Sequence, residues 1–595
     1  MSISRRKFLG NAAAVAGTVA AGNLVGQSAM AQTASTSAQG GSLPGLIAHW
    51  KLNGDAKDSI EKHHGEAHNI KFVEGRDGKS GGAASFNGVD GFVSVDDDGE
   101  FRFGAKEFSL AAWINVSQAM DGAPGDILTK FDGPARNGFN FSVGSSSGGY
   151  TSIGDAKNIH FGIDNGISGS WLDCGSPWKS NSLISTLGVY KNQLYTGIAD
   201  AARPEDACHV FRYAGDTQWV DCGRLGNDPM TLTAYSLCTH KGKLYCGTGV
   251  WDWSKAIPGR GGPGHVYCYE GDKRWRDCGT VGHGIRIFCL ASFKGNLYAG
   301  DDTGKCYRWD GATGWEFCGQ LGHDHRFNSM IPFKGSLYGC SHDGVYRYEG
   351  GTAWTSIGQH PGGSNQIHKL QVYDGHLHAG TWPYGSVMRY EGETNWTDTG
   401  QLGIPTDKYR INEVNDLRVY NGKFYAGVIP KAEVYRYEAD GDWTMLRRMV
   451  RDLFWSGDND TTWFRVPAMT VFQGKLFHGT STCHGTADPM RPAESGRVYA
   501  MEAGKNVSYD DDLGAGWKHV VAVREKDLLR LYINGKEAAV SGRFDNDDFP
   551  MSNRAPLLIG LGAQTNFSGS MADVRFYGGA LSAGQVSDLY GKAGG

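Results

Sequence analysis

Hydrophobic and polar residues alternate along much of this chain in short runs punctuated by Gly, Asp and Asn. Phe92-Val93-Ser94-Val95, Phe108-Ser109-Leu110-Ala111-Ala112-Trp113-Ile114 and Leu529-Arg530-Leu531-Tyr532-Ile533 are examples. A period of two between turn signals predicts short antiparallel strands. The fold class expected from this pattern is all-β.

From about residue 169 to residue 504 the alternation repeats. A phrase close to aromatic-x-Gly-x-Leu-Tyr ends at Tyr195, Tyr245, Tyr298, Tyr338, His378, Tyr425 and Phe477, at spacings of 40 to 53 residues. Five residues before each end point stands an aromatic residue or His: Tyr190, His240, Phe293, Phe333, Tyr373, Tyr420 and Phe472. A second phrase follows, as in Val210-Phe211-Arg212-Tyr213 with Trp219, or Val345-Tyr346-Arg347-Tyr348 with Trp354. Seven repeats of this length predict a seven-bladed β-propeller with four strands per blade. A β-solenoid and a Kelch-like ring with another blade count are the competing readings. The last copy, Arg497-Val498-Tyr499-Ala500-Met501, lacks its Trp, and the missing piece stands before the first copy as Trp171-Leu172-Asp173-Cys174-Gly175. A ring closes best when one blade takes strands from both ends of the array, so this front strand is expected to complete the seventh blade. Closure brings the ring's ends together, and adjacent termini allow insertion into a loop of a host domain.

The flanks supply such a host. Gly45-Leu46-Ile47-Ala48-His49-Trp50-Lys51-Leu52, Ala84-Ser85-Phe86-Asn87-Gly88 and the run from Phe108 to Ile114 precede the repeats. Trp517-Lys518-His519-Val520-Val521-Ala522-Val523, the run from Leu529 to Lys536, and Gly569-Ser570-Met571-Ala572-Asp573-Val574-Arg575-Phe576-Tyr577 follow them. In order and content these resemble the two halves of a laminin-G-like domain, roughly 45–168 and 505–592. The resemblance implies a concanavalin A-like β-sandwich, with residues 45–168 and 505–595 enclosing an inserted propeller at 169–504. Such sandwiches bind sugars or pack as accessory modules, and calcium is common in the wider superfamily. Asp96-Asp97-Asp98 and Asp510-Asp511-Asp512 are therefore candidate calcium ligands, against the plainer reading of solvated acidic turns.

Composition narrows the function. The chain has 595 residues, 88 Gly, 17 Trp and a net charge of −5, which fits turn-rich β-structure and gives no support for nucleic-acid binding. Ser4-Arg5-Arg6-Lys7-Phe8-Leu9, an Ala-rich stretch and Ala29-Met30-Ala31 resemble a twin-arginine export signal over residues 1–31. A Ser/Thr/Gly-rich leader over 32–44 follows, and no stretch reads as a membrane span. The expected location is periplasmic or secreted. All 12 Cys lie between Cys174 and Cys483, where disulfides and small buried residues are both open readings; the spacings are not those of a zinc site.

Propellers bind ligands at one channel mouth, and counting back from each first phrase compares equivalent positions. Eleven back stand Ile184, Ala234, Ile287, Phe327, Ile367, Val414 and Val466, a packing row. Twelve back stand Leu183, Thr233, Arg286, Arg326, Gln366, Glu413 and Arg465; ten back stand Ser185, Tyr235, Phe288, Asn328, His368, Asn415 and Pro467. Strand residues two apart share a face, so these two rows are expected to form one ring. The ring differs from blade to blade, which suits an asymmetric ligand, and its three arginines imply an anionic group. Trp251, Asp252, Trp253, Trp382, Pro383, Tyr384 and Tyr409 could stack on sugars, and His283, His323, His325, Lys408 and Arg410 add basic character.

A mouth with Arg, His and Tyr on a seven-bladed ring is similar to polysaccharide lyase propellers. That resemblance implies β-elimination at a uronate in an anionic polysaccharide or oligosaccharide. His368 would be the base and Tyr235 the acid. Arg286, Arg326 and Arg465 would clamp the carboxylate, with Asn328, Gln366, Glu413 and Asn415 as further substrate contacts. The alternatives are a non-catalytic glycan-binding protein and a glycoside hydrolase, the latter weakened by Glu413 being the ring's only acid. A sialidase is disfavoured, since no Ser-x-Asp-x-Gly-x-Thr-Trp box occurs.

Overall fold

A computed structural model describes residues 43–118, 125–178, 183–199, 206–250, 263–312, 314–323, 326–404, 411–450, 464–481 and 494–592. The expected export signal and nearly all of the leader lie outside these residues. No described helix is long and apolar enough to cross a membrane.

Two sheets face each other in the sandwich. The eight-stranded sheet places Phe108–Val116 between Ser568–Tyr577 and Lys518–Arg524, so an early strand is flanked by two late ones. The seven-stranded sheet likewise inserts Leu557–Ile559 between Phe92–Val95 and Gly125–Asp132. Neither half can form its sheets alone. The apolar positions of both halves meet in one core around Trp50, Phe108, Phe139, Phe161 and Phe576.

The insertion point is a pair of neighbouring strands. Asn158–Asn165 runs antiparallel to Lys505–Tyr509, with Ile163 opposite Lys505 and Ile159 opposite Tyr509. Residues 166–504 thus replace what would otherwise be a hairpin turn.

Within them seven four-stranded blades follow in order, their inner strands being Leu183–Tyr190, Thr233–His240, Ile287–Phe293, Ser329–Phe333, Gln366–Tyr373, Glu413–Tyr420 and Arg465–Phe472. The seventh blade is completed by Ser170–Asp173, which pairs with Val498–Glu502 through Trp171 opposite Met501 and Leu172 opposite Ala500.

The recurring Trp and the residue three places after it share one purpose. The indole N–H of Trp219 donates to Cys174 O of the preceding blade at 2.9 Å, Trp275 to Cys222 O at 2.9 Å and Trp315 to Cys278 O at 3.1 Å. Trp354, Trp396 and Trp443 continue the girdle onto Cys318, Ile357 and Thr399. At the closing seam the Arg447 guanidinium lies 5.1 Å over the Trp171 ring. The eleven described cysteines are all buried and free, so they are small core residues rather than disulfides; Cys483 lies outside the described residues.

The sandwich also enters the ring. The segment from Gly144 to Ala156, between Asn137–Gly144 and Asn158–Asn165, runs up the propeller channel. Gly149 N donates to Leu237 O (2.9 Å), Ile153 N to Leu290 O (3.1 Å), Val189 N to Ser146 O (2.8 Å) and Thr470 Oγ1 to Ser146 O (3.2 Å). Thr151 Oγ1 donates to Phe288 O (2.8 Å), and the Lys369 ammonium donates to Tyr150 O. Gly149 has no room for a side chain: a Cβ there would lie 2.3 Å from Thr186 Oγ1 and 2.4 Å from Leu187 O. The inner-strand turns rest on the sandwich below, as where Asn192 N donates to Asp510 O (3.1 Å) and Gln473 N to the Asp510 carboxylate (2.8 Å). The starts of the inner strands therefore form the mouth facing away from the sandwich.

Candidate functional site at the propeller mouth

The ten-back residue of most blades is a β-bulge. In the ladder Ile184 faces Ile198 and Thr186 faces Gly197, which leaves Ser185 unpaired; Tyr235, Phe288, His368 and Asn415 are skipped in the same way. A bulge re-aims its side chain and breaks strict alternation. The packing row eleven back is fully buried at all seven positions, among them Ile184, Phe327 and Val466.

Glu413 sits at the centre of the largest group. Only 2% of it is exposed, and its Oε1 lies 3.3 Å from His368 Nδ1 and accepts a hydrogen bond from the Asn415 amide. Burial pushes the Glu413 carboxyl up, while the charges of Arg465, Arg326 and His342 pull it down. His368 Nε2 meets Gln366 Oε1 at 2.8 Å, so both ring nitrogens have partners. Burial, and then the charges of Arg326 and Arg465, hold His368 well below the ordinary imidazole range, which makes it neutral at pH 7.

A second group adjoins the first. The Arg286 guanidinium lies 5.2 Å over the Tyr235 ring and 5.0 Å over Phe288. Arg286 N donates to Asp302 Oδ1 at 3.2 Å. The Asp302 carboxyl is pushed up to about 6 by burial and by Asp301 beside it. Asp302 is a buried acid beside the ring, outside the two rows in which Glu413 is the only one. Asn328 serves the scaffold instead: its amide donates to Ile367 O of the next blade at 2.7 Å.

Three further residues of the site carry no signal in the inner-strand rows. His342, 6.4 Å from His368 between ring centroids, and Asp302 stand four residues after their phrase ends, just past the second strands Ser336–Cys340 and Asn296–Asp301 of their blades. Counting forward as well as back would have found them. Tyr150 comes from the sandwich and has no counterpart in any blade. Its ring meets Tyr235 edge-on at 5.6 Å. Its φ of 54° is a left-handed conformation that a bulky residue rarely adopts. Burial first, then Tyr235 and Glu413, raise its phenol well above 10, so it stays protonated.

Among the loop candidates, His283 and His323 are exposed, while Trp382 and Tyr384 are half-buried. Trp251, Asp252, Trp253, His325, Lys408, Tyr409 and Arg410 lie outside the described residues.

The acidic runs are occupied by protein groups. Asp97 pairs with Arg102 and with Lys130 Nζ (2.9 Å), and Asp98 with His63 Nδ1 (3.0 Å). Asp510 accepts from Ser508 Oγ (2.6 Å), and Asp512 from Lys157 N (3.0 Å). No cluster of three or more metal-ligating side chains occurs among the described residues.

A family model described as the concanavalin A-like lectin/glucanases superfamily, Laminin_G_3, matches residues 461–587. The fold is a concanavalin A-like sandwich carrying a seven-bladed propeller. The match begins inside the seventh blade, upstream of the sandwich strand Lys505–Tyr509. No curated protein matches the chain. Among solved structures, the WD40 propeller domain of Doa1 is similar at 10% identity and a TM-score of 0.36, over 56% of this chain and 96% of that one. A streptogramin B lyase is similar at 6% identity and a TM-score of 0.38, over 56% and 98%. The extracellular domain of BT4673 from B. thetaiotaomicron is similar at 16% identity and a TM-score of 0.38, over 56% of this chain and only 40% of that one.

Proposed function

We propose that the propeller mouth binds the carboxylate of a uronate-containing glycan and cleaves the chain by β-elimination. The supporting observation is the setting of Glu413: one buried carboxyl, a neutral histidine and an asparagine amide, with the charges of Arg326 and Arg465 acting on it and Arg286 beside them. Guanidinium groups offer planar, bidentate donors that suit a carboxylate. Neutralising the substrate carboxylate makes its C5 proton more acidic. Glu413 Oε1 and Gln366 Oε1 face the two His368 ring nitrogens at 3.3 and 2.8 Å, and the nitrogen without a proton in the neutral imidazole takes the C5 proton. A ring phenol returns a proton to the leaving oxygen, Tyr235 being the residue legible from sequence. On this reading the protein is exported through the twin-arginine pathway and acts in the periplasm or outside the cell.

The test is incubation with a panel of uronate polysaccharides, following ultraviolet absorbance of the unsaturated product. Activity on one of them, lost in Arg465→Gln and His368→Ala, is expected. Release of reducing ends without unsaturated product would transfer the assignment to a hydrolase using Glu413 and Asp302. Tight binding with no cleavage of any polymer would leave a glycan-binding protein.

A further inference from the structure

We propose that a small inorganic anion of about the size of chloride binds beside Arg418, in a cavity where the sandwich meets the fifth and sixth blades, and fastens the two domains together.

The inner strands place the polar groups of this cavity. Seven residues back from the phrase ends, the fifth and sixth blades carry Gln371 and Arg418, where the others carry Gly188, Cys238, Ala291, Ile331 and Thr470. Two residues earlier on the same strands, and on the same face, stand Lys369 and Asp416, whose side chains pair at 3.1 Å. Gln371 and Arg418 are therefore neighbours one step nearer the sandwich. With Asn140 and His160 of the sandwich strands Asn137–Gly144 and Asn158–Asn165 they line a cavity of about 40 Å³. A water-sized body takes roughly 10–15 Å³ of such space, so the cavity holds about three.

Charge decides the occupant. Arg418 is 4% exposed, and a guanidinium stays protonated at physiological pH. Its Nε donates to Met469 O at 3.0 Å, while its Nη2 has no partner among the described residues. Asp416 is already paired with Lys369, so Lys369, Asp416 and Arg418 together leave one buried positive charge. A buried charge without a counter-charge is strongly disfavoured. Asp126 lines the cavity too, but its carboxylate accepts from Gln564 N and Thr565 N at 2.8 and 3.2 Å, and burial pushes it up to about 7, which makes it a poor counter-ion at neutral pH. Burial, then Arg418, hold His160 down at about 4, so its imidazole is neutral and offers one N–H.

The remaining groups suit an anion accompanied by water. Gln371 Nε2 donates to Val372 O at 3.2 Å and Asn140 Nδ2 to Asn421 Oδ1 at 3.4 Å. Gln371 Oε1 and Asn140 Oδ1 are left without donors among the described residues, although the two residues are only 7% and 6% exposed. A water can donate one proton to such an oxygen and the other to the anion, and the volume leaves room for about two such waters. Anion and waters together then satisfy atoms that protein groups leave unpaired. The same two strands carry His368 and Glu413 toward their other ends, so the anion braces the mouth's central pair from the sandwich side.

The experiment follows Tm by differential scanning calorimetry as sodium chloride is titrated, at constant ionic strength, into protein dialysed against sodium gluconate. Wild-type Tm should rise and saturate, gaining about 2–3 °C by about one hundred times the chloride Kd, because the ion binds only the folded state. Sodium bromide should act alike, whereas gluconate is too large for the cavity. Gln371→Glu places a carboxylate beside Arg418 and should abolish the rise while melting no lower than wild type in gluconate. Arg418→Gln removes the charge and should abolish the rise as well. Crystals grown in bromide should show its anomalous scattering beside Arg418. A Tm that chloride leaves unchanged, a chloride effect that persists in Gln371→Glu, or a cavity holding only water in bromide-grown crystals would overturn the assignment.

Discussion

Replacing Lys369 by Met tests the join between sandwich and propeller. Its ammonium is 1% exposed and lies 3.1 Å from Asp416, whose side chain is fully buried. It also donates to Tyr150 O, and Asp416 accepts from Leu417 N and Met469 N. Burial drives the Lys369 ammonium and the Asp416 carboxylate each toward its neutral form, and each holds the other charged. Met keeps most of the aliphatic stem but leaves a buried carboxylate with only backbone donors and the nearby Arg418 charge. Breaking a buried pair from one side costs about 3–5 kcal/mol. Unfolding entropy of about 2.1 cal/mol/K per residue makes 1 kcal/mol worth roughly 1 °C in a protein of this size. Lys369→Met should therefore lower Tm by about 3–5 °C in differential scanning calorimetry. Lys369→Met/Asp416→Asn should recover at least half of the loss, because no uncompensated charge remains. A single variant melting within about 1 °C of wild type, or a double variant no better than the single, would refute this account of the plug.

Other perturbations probe separate layers. Asp510, 4% exposed, is pushed up to about 7 by burial. A raised folded pKa gives stability that is full below about pH 4 and lost as pH rises through 7, so Tm should fall between pH 5 and 8. Asp510→Asn should flatten that slope by roughly 2–4 kcal/mol, and an unchanged slope would exclude the group. Gly149→Val drives a side chain into Thr186 and Leu187, and should cost about 2–3 kcal/mol and expose the plug to limited proteolysis. Trp275→Phe removes the bond to Cys222 O, and should cost about 1–2 kcal/mol in chemical denaturation, well below the Lys369 effect.

Much of this architecture is local and periodic, and so is legible in one dimension. Alternation marks the strands, and the recurring phrase counts the blades because every blade solves the same packing problem. The displaced Trp171–Gly175 piece reveals closure because a ring must pair its first strand with its last. Even the mouth residues Arg286, Arg326, His368, Glu413 and Arg465 follow from equivalent positions in a repeat.

What breaks the repeat could only be decided by the tertiary structure. The Ser- and Gly-rich segment around Tyr150 carries none of the repeat's phrases, yet small residues there let the backbone thread a narrow channel. Its side chain meets Tyr235 across a domain boundary that leaves no trace in spacing. The bulges at Ser185, Tyr235, Phe288, His368 and Asn415 likewise depend on ladder pairing, not composition. Periodicity determined the inner-strand residues of the mouth; contact between segments distant in sequence decided which of them face one another and added Tyr150, because charge and hydrogen bonding act through space and not along the chain.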